Sequence, residues 1–233
     1  DAAREAFVCV DEPDAKATFA LALKFDEQPG EQVLSNMPEK SVIAGVHYFE
    51  TTPKMSTYLV CFVLGELQSK TALTASGIKV GVFSTKAHQL KELDFALDIA
   101  KRALDFFEDY YQTPYPLPHA WQVALPDFSA GAMENWGIIT YREAYLLLDP
   151  DNTTLETKQR IATVIAHELA HQWFGDLVTM KWWDDLWLNE SFANMMEYVC
   201  IDALEPNWQI WQTFQSTEVP LALNRDALAG VQD

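Results

Sequence analysis

Cysteine is nearly missing from this chain of 233 residues: Cys9, Cys61 and Cys200 are far apart and odd in number. Neither a disulfide framework nor a cysteine-based zinc site follows, and a reducing compartment is favoured. Long apolar runs are missing too. No stretch approaches the roughly 20 residues that a membrane-spanning helix needs. Basic residues are scarce, 16 against 34 acidic ones, which leaves a net charge of −18. Such a field argues against nucleic acid and anionic membrane surfaces as partners and favours cationic ligands, free amino termini among them. The same charge also confers solubility whatever the ligand. There is no initiator Met and no signal peptide. The opening "DAAREAFVCV" reads as the middle of a longer protein, with targeting signals expected elsewhere. With so few cysteines, a cytoplasmic location is the expectation. No internal repeat or low-complexity linker interrupts the chain.

What is present suffices for a substantial core. Apolar residues make up 49% of the chain, with 8 Trp and 13 Phe. The length allows one large domain or about two ordinary ones. Up to about residue 66 the texture is strand-like. "VIAGVHYFET" and "STYLVCFVLGEL" are β-branched and aromatic runs set off by Pro38 and Pro53. "IKVGVF", residues 78–83, alternates as a further strand. From about Thr85 to Gln112, Leu90, Leu93, Leu97, Ala100, Leu104, Phe107 and Tyr111 recur at helical spacing, and Pro114 stops the pattern. "PYPLPHAWQVALPDF" reads as a proline-punctuated loop around a short strand.

One stretch carries chemistry on its face. "VIAHELAHQWFG", residues 164–175, sets His167, Glu168 and His171 inside an apolar run. A buried helix normally avoids such groups, because each must be desolvated and then satisfied. Thr153 and Glu156 fit a capping box at the start of this helix, and Gly175 stands where a C-cap glycine belongs. Residues 167 and 171 are one helical turn apart, so two imidazole nitrogens can converge on one ion. This is the H-E-x-x-H zinc motif, whose Glu is a general base and not a ligand. A catalytic zinc wants three protein ligands and one open position. Glu190 offers the third, from the first turn of a helix read over Leu188–Leu204 and ending at Pro206. Eighteen residues lie between His171 and Glu190, enough for a turn, a strand-like "LVTM" and a return. Glu197, seven residues on, shares Glu190's helix face and could orient a ligating imidazole. A solvated surface Glu is the alternative. Trp173, Trp182, Trp183 and Trp187 are expected to pack in the core around the site.

The motif, its spacing to Asn189-Glu190 and "GAMENWG" (131–137) together resemble the zinc aminopeptidase N family. "FVCVDEPDAKATF" and "WWDDLWLNESFA" are family-like as well, so the resemblance covers essentially the whole chain. It implies an α+β chain: residues 1–66 end a β-rich N-terminal domain, and residues 67–233 begin a thermolysin-like zinc peptidase domain. It implies one zinc per chain, held by His167, His171 and Glu190, with Glu168 as the catalytic base. Gly131, Ala132, Met133, Glu134 and Asn135 are then the substrate-binding segment, and Glu134 holds the free α-ammonium of a peptide. A carboxylate placed one residue short of the scissile bond pairs with a charged amino terminus and leaves no room for chain upstream. The small residues Gly131 and Ala132 permit close backbone approach by the peptide. The resemblance also implies that a remaining C-terminal part of the enzyme packs against this section. The family's oxyanion-stabilising tyrosine is expected beyond Asp233, so Tyr141, Tyr145 and Tyr198 receive no such role, and activity of this section alone is not expected. Three other readings stand beside the aminopeptidase: a thermolysin-like endopeptidase, in which Glu134 has no task; a non-catalytic zinc- or peptide-binding module, against which an intact Glu168 argues; and an epoxide hydrolase, implied by a branch of the wider family, which nothing in the sequence favours.

Overall fold

The computed structural model describes residues 3–227. A single helical turn, α1 (Ala3–Ala6), is followed by short strands β1 (Ala22–Lys24), β2 (Gln32–Ser35), β3 (Glu39–Ile43), β4 (Val46–Phe49) and β5 (Phe62–Gly65). β1, β4 and β3 form an antiparallel sheet in that order, and β2 pairs with β5. The β3–β4 hairpin turns on Ala44 and Gly45, both at positive φ (51° and 73°), the backbone a two-residue hairpin demands. "STYLVCFVLGEL" is not one strand. It opens with a 3-10 turn at Thr57–Leu59 and breaks at Glu66, after which the chain enters a different sheet.

That second sheet has five strands. β6 (Leu67–Leu73) and β7 (Lys79–Thr85) form a hairpin, and β8 (His119–Leu125), β9 (Ala132–Met133) and β10 (Ile138–Arg142) complete the order β6-β7-β8-β10-β9. β7, β8 and β10 run parallel, and the two edge strands run against them. The central strands are buried along nearly their whole length, as parallel strands covered on both faces must be. Between β7 and β8 lies α2 (Asp94–Tyr111), whose Ala96, Ile99, Ala100, Leu104 and Phe107 are buried on one stripe. The helix begins later than its apolar spacing predicts. Thr85 still belongs to β7, and Leu90–Leu93 forms a 3-10 turn entered through a reciprocal Gln89–Glu92 cap, a pair that an expectation of Ser or Thr at the N-cap overlooks.

α3 (Leu155–His171) packs between α2 and α4 (Trp187–Leu204), and α5 (Ile210–Asp226) follows. The cap of α3 sits one residue later than predicted. Thr154 accepts from Thr157 N–H at 3.2 Å, while the Thr153 hydroxyl is taken by the Asp149 carbonyl. Gly175 does not cap α3 either. The helix closes through Gln172, and Gly175, at φ 141°, turns the chain four residues beyond the helix end. "LVTM" forms only an isolated bridge, Phe174 with Val178, not a strand. Of the four tryptophans expected in the core, only Trp173 is buried there. Trp182 and Trp187 are 46% and 56% exposed, on a face that no other described residue covers. The larger of two apolar clusters runs through sheet and helices and takes in Met55 and Leu59 from the first segment, and the smaller gathers Leu67, Phe83, Val123 and Ile138 on the sheet. The chain is α+β, as expected. No described helix is long and apolar enough to cross a membrane.

Candidate metal centre and substrate edge

α3 and α4 bring three predicted ligands together. Donor atoms of His167, His171 and Glu190 all lie within 4.8 Å of one another. The two Nε2 atoms face each other at 3.0 Å, and Glu190 Oε2 is 3.4 Å from each. Each ring's other nitrogen has an acceptor: His167 Nδ1 donates to Glu197 Oε2 at 2.7 Å, His171 Nδ1 to the Phe174 carbonyl at 3.0 Å. A carboxylate and a carbonyl can only accept, so both hydrogens sit on Nδ1. With both rings neutral, as metal ligation requires, the two Nε2 atoms point lone pairs at the same small space, next to a carboxylate oxygen; with no cation there, a proton on Nε2 takes its place and donates to Glu190. Three converging acceptors repel one another unless a positive centre lies between them. Two imidazoles and a carboxylate are a donor set that zinc accepts, and the residues present fit it.

The electrostatics follow the same geometry. Burial opposes the charged form of His167, but hydrogen bonds to Glu190 and Glu197 outweigh it and lift its pKa to about 10. His171 is raised as well, its own burial being overcome chiefly by Glu190. Hydrogen bonds from both histidines hold the Glu190 carboxyl well below the usual range. Glu168 goes the other way. Burial pushes its carboxyl up to about 7, against the pull of the two imidazoles, and its Oε2 has no partner among the described residues. A buried, half-satisfied carboxyl beside converging donors is suited to taking and releasing a proton near neutral pH.

β9 supplies the other wall. Ala132 and Met133 pair with Tyr141 and Thr140 of β10, and Arg142 N–H donates to the Gly131 carbonyl at 2.9 Å. β9 is the last strand of the sheet, so its outer edge is open to an added strand. Gly131, Ala132, His167, Glu168 and Glu197 line one hollow of about 320 Å³. Glu134 follows β9 directly, and its charge acts on Glu168, His171 and Asp176. Asn135 is placed differently from its neighbours. It is buried, its amide is held by the Thr140 hydroxyl at 3.2 Å, and it shapes the turn after β9.

Sequence reasoning missed three residues around this site. Tyr58, in the 3-10 turn misread as strand, donates to the Gly175 carbonyl at 3.4 Å, and its ring packs at a tilt against Trp183, 5.6 Å between centroids. Gln172 and Asp176, just past the motif, are both fully buried. The signal for Gln172 was its position: a carboxamide directly after the second histidine, at the end of an apolar helix.

The metal-type triad, partly open at Glu190, and the strand edge beside it resemble a metallopeptidase site. Residues 95–233 match the peptidase family M1 domain, and residues 1–59 match the peptidase M1 N-terminal domain. The chain belongs to peptidase family M1, a family that is in general zinc-dependent. It is 71% identical over 230 residues to an aminopeptidase N of Lactobacillus delbrueckii subsp. lactis, covering 99% of this chain and 27% of that protein. An aminopeptidase N of Lactococcus lactis subsp. cremoris (strain MG1363) is 67% identical over the same share of each chain. The mouse endoplasmic reticulum aminopeptidase 1 is 46% identical over 91% of this chain and 23% of its own length. The chain thus spans about a quarter of the length of the relatives it matches.

Proposed function

We propose that this chain is the metal-bearing section of a zinc aminopeptidase that removes N-terminal residues from peptides. In this reading residues 1–66 end a β-rich N-terminal domain and residues 67–233 open the catalytic domain. The boundary is supported by the change of sheet at Glu66. One zinc is held by His167, His171 and Glu190. When bound, zinc supplies Lewis acidity, which activates water and polarises a carbonyl. Glu168 takes the water's proton on Oε2 and passes it to the leaving amine. The open edge of β9, at Gly131 and Ala132, hydrogen-bonds the peptide backbone, and Glu134 pairs with its α-ammonium, so that only the first peptide bond reaches the metal. Glu197 keeps the His167 ring turned toward the site. The carrying observation is the convergence of three ligand atoms within 4.8 Å, beside a buried carboxyl and an open strand edge. The rest of a longer chain is proposed to cover the face that exposes Trp182 and Trp187. The cytoplasmic location is likewise proposed, supported by three cysteines without a disulfide.

The test uses the full-length enzyme. Purified protein should carry one zinc, and Glu190→Ala should lose it on dialysis against a mild chelator. Full occupancy in that variant rules out Glu190 as a ligand. Matched free and N-acetylated peptides should then be compared with wild type and Glu134→Ala. A charge-assisted hydrogen bond of about 1.5–3 kcal/mol corresponds to roughly one or two decades in kcat/KM. Wild type should therefore prefer the free peptide by at least tenfold, and Glu134→Ala should lose most of that preference. Equal cleavage of both peptides by wild type would make the enzyme an endopeptidase instead.

A further inference from the structure

The backbone of residues 134–137 is held by two buried carboxamides. Gln172 is fully buried and uses both ends of its amide. Its Oε1 accepts from Gly137 N–H and from the Tyr115 hydroxyl, each at 3.1 Å. Its Nε2 donates to the Glu134 carbonyl at 3.1 Å and to Asp176 Oδ2 at 3.0 Å. Asn36, from the first segment, likewise uses both ends of its amide. Its Nδ2 donates to the Trp136 carbonyl at 2.9 Å and to the Leu59 carbonyl at 2.8 Å, and its Oδ1 accepts from Cys61 N–H at 2.9 Å. Three backbone groups of a four-residue loop are therefore bonded to side chains from two different parts of the chain. Glu134–Gly137 lies between β9 and β10, and its other backbone bonds are at its far end, where the Gly137 carbonyl accepts from Trp121 N–H of β8 at 2.9 Å and the Asn135 carbonyl accepts from Ile138 N–H at 3.0 Å. Gln172 also follows His171 directly, so any shift of the loop is measured against the helix that bears the histidines.

We infer that Gln172 is a positioning residue that sets the Glu134 carboxylate at a fixed distance from the metal ligands, with Asn36 bracing the same loop from the first segment. The inference rests on the reading of Glu134 as the amino-terminus anchor. An exopeptidase needs two distances to agree: anchor to ammonium, and metal to scissile carbonyl. A misplacement of about 1 Å can cost on the order of a hundredfold in rate. A carboxamide suits this task because it donates and accepts at once. It ties a carbonyl and an N–H of one loop together without introducing a charge beside Glu168 and Asp176.

The experiment is a double-mutant cycle in the full-length enzyme, with kcat and KM measured on matched free and N-acetylated peptides. The single variants are Gln172→Met and Gln172→Glu, of similar volume, Asn36→Ala and Glu134→Ala, and each Gln172 variant is also combined with Glu134→Ala. Zinc content and thermal midpoint are recorded for every protein. The expected result is that the Gln172 variants keep their zinc but lose tenfold or more on the free peptide, mainly through KM, and lose little on the acetylated one. In the Glu134→Ala background the same Gln172 changes should cost less than twofold, because nothing is left to position. Asn36→Ala should move the free-to-acetylated ratio in the same direction. If the Gln172 variants that remain folded lower both peptides equally, or cost as much without Glu134 as with it, Gln172 is only structural and the inference is overturned. Where Gln172→Met fails to fold, Gln172→Glu carries the same comparison. If Glu134→Ala itself leaves discrimination intact, the anchor reading fails first, and the cycle separates that result from the failure of Gln172.

Discussion

Single side chains decide the chemistry at this site, and two of them make it testable. Glu168 is buried, its Oε2 has no partner among the described residues, and it is not among the three converging donors. Glu168→Ala in the full-length enzyme should keep its zinc and lose about 10²–10⁴-fold in turnover, the usual scale for a general base. Near-normal turnover with zinc bound would remove Glu168 from the reaction. His119 is the second case. It stacks on Trp121 at 4.3 Å, is 2% exposed, and burial pushes its pKa down to about 4. The unfolded value is about 6.5, so the folded state resists protonation that the unfolded chain accepts. The resulting stability is fully present above pH 6.5 and is lost as pH falls toward 4. The loss amounts to at most about 3 kcal/mol, at 1.36 kcal/mol per pKa unit. His119→Phe keeps an aromatic stack, and its thermal midpoint should fall less between pH 7 and pH 4.5 than that of wild type; parallel acid curves would show that His119 does not supply this slope. The chemistry at this scale was legible beforehand for a simple reason. His167 and His171 are four apart on a helix, and helical geometry alone makes them converge. Glu190 needed only the expectation of a second helix nearby. The place of Gln172 after the second histidine was a signal, but its role was not legible, because the loop partners it holds are backbone groups of residues 134 and 137, and a backbone group leaves no mark in a residue sequence.

Elements with strong apolar periodicity were read correctly, and those made by turns were not. α2, α3 and α4 bury continuous stripes, so their spacing carries through to the fold. β9 is only two residues long and is a strand solely because β10 lies beside it. "LVTM" has the residue types of a strand but finds no ladder, since α4 and the end of α3 leave it one bridging partner. The Thr153 cap slipped by one residue because Asp149, four residues earlier, competes for that hydroxyl. Gly137 ties these local details to the site. It has φ +82°, and a Cβ built there would lie 2.6 Å from the Asn36 carbonyl oxygen and 2.8 Å from Leu117 Cδ1. No side chain fits without moving the loop that carries Glu134. Gly137→Ala should lower stability by at least about 1 kcal/mol, read as a fall in the thermal midpoint, and should weaken the preference for free amino termini. An unchanged midpoint would mean that the loop yields freely, and that it does not hold Glu134 in register.

At the scale of the molecule, exposed apolar side chains occur along the whole chain, and one group of them falls in a single stretch. Trp182, Leu186, Trp187, Phe192 and Met195 are all at least 40% exposed, and all lie between the end of the metal helix and the middle of α4. Large contiguous apolar surface is unusual on a free-standing protein and marks a contact. The tryptophans of "WWDDLW" were expected in the core around the site, but among the described residues Trp182 and Trp187 are exposed and Trp183 is half-buried. Relatives extend to several times this length, so the proposed cover is the rest of the same polypeptide. Glu190 sits on this same helix, half exposed, its carboxylate the most solvent-accessible member of the triad. A cover here would hold α4 against α3 and shield the third ligand from water, which strengthens the electrostatic interactions in the site. The 233-residue segment produced alone should therefore bind an apolar dye such as anilinonaphthalene sulfonate and self-associate at micromolar concentration. It should also release zinc faster than the full-length enzyme. Trp187→Gln with Met195→Gln should reduce dye binding and association in the segment, since neither residue is among the converging donors. The same pair of changes in the full-length enzyme should destabilise it, because there the two side chains would be buried and polar replacements lose their water. That reversal of sign is the discriminating result. If the pair solubilises the segment and leaves full-length stability and zinc retention untouched, the face is open in the whole enzyme too, and a separate partner must be sought for it.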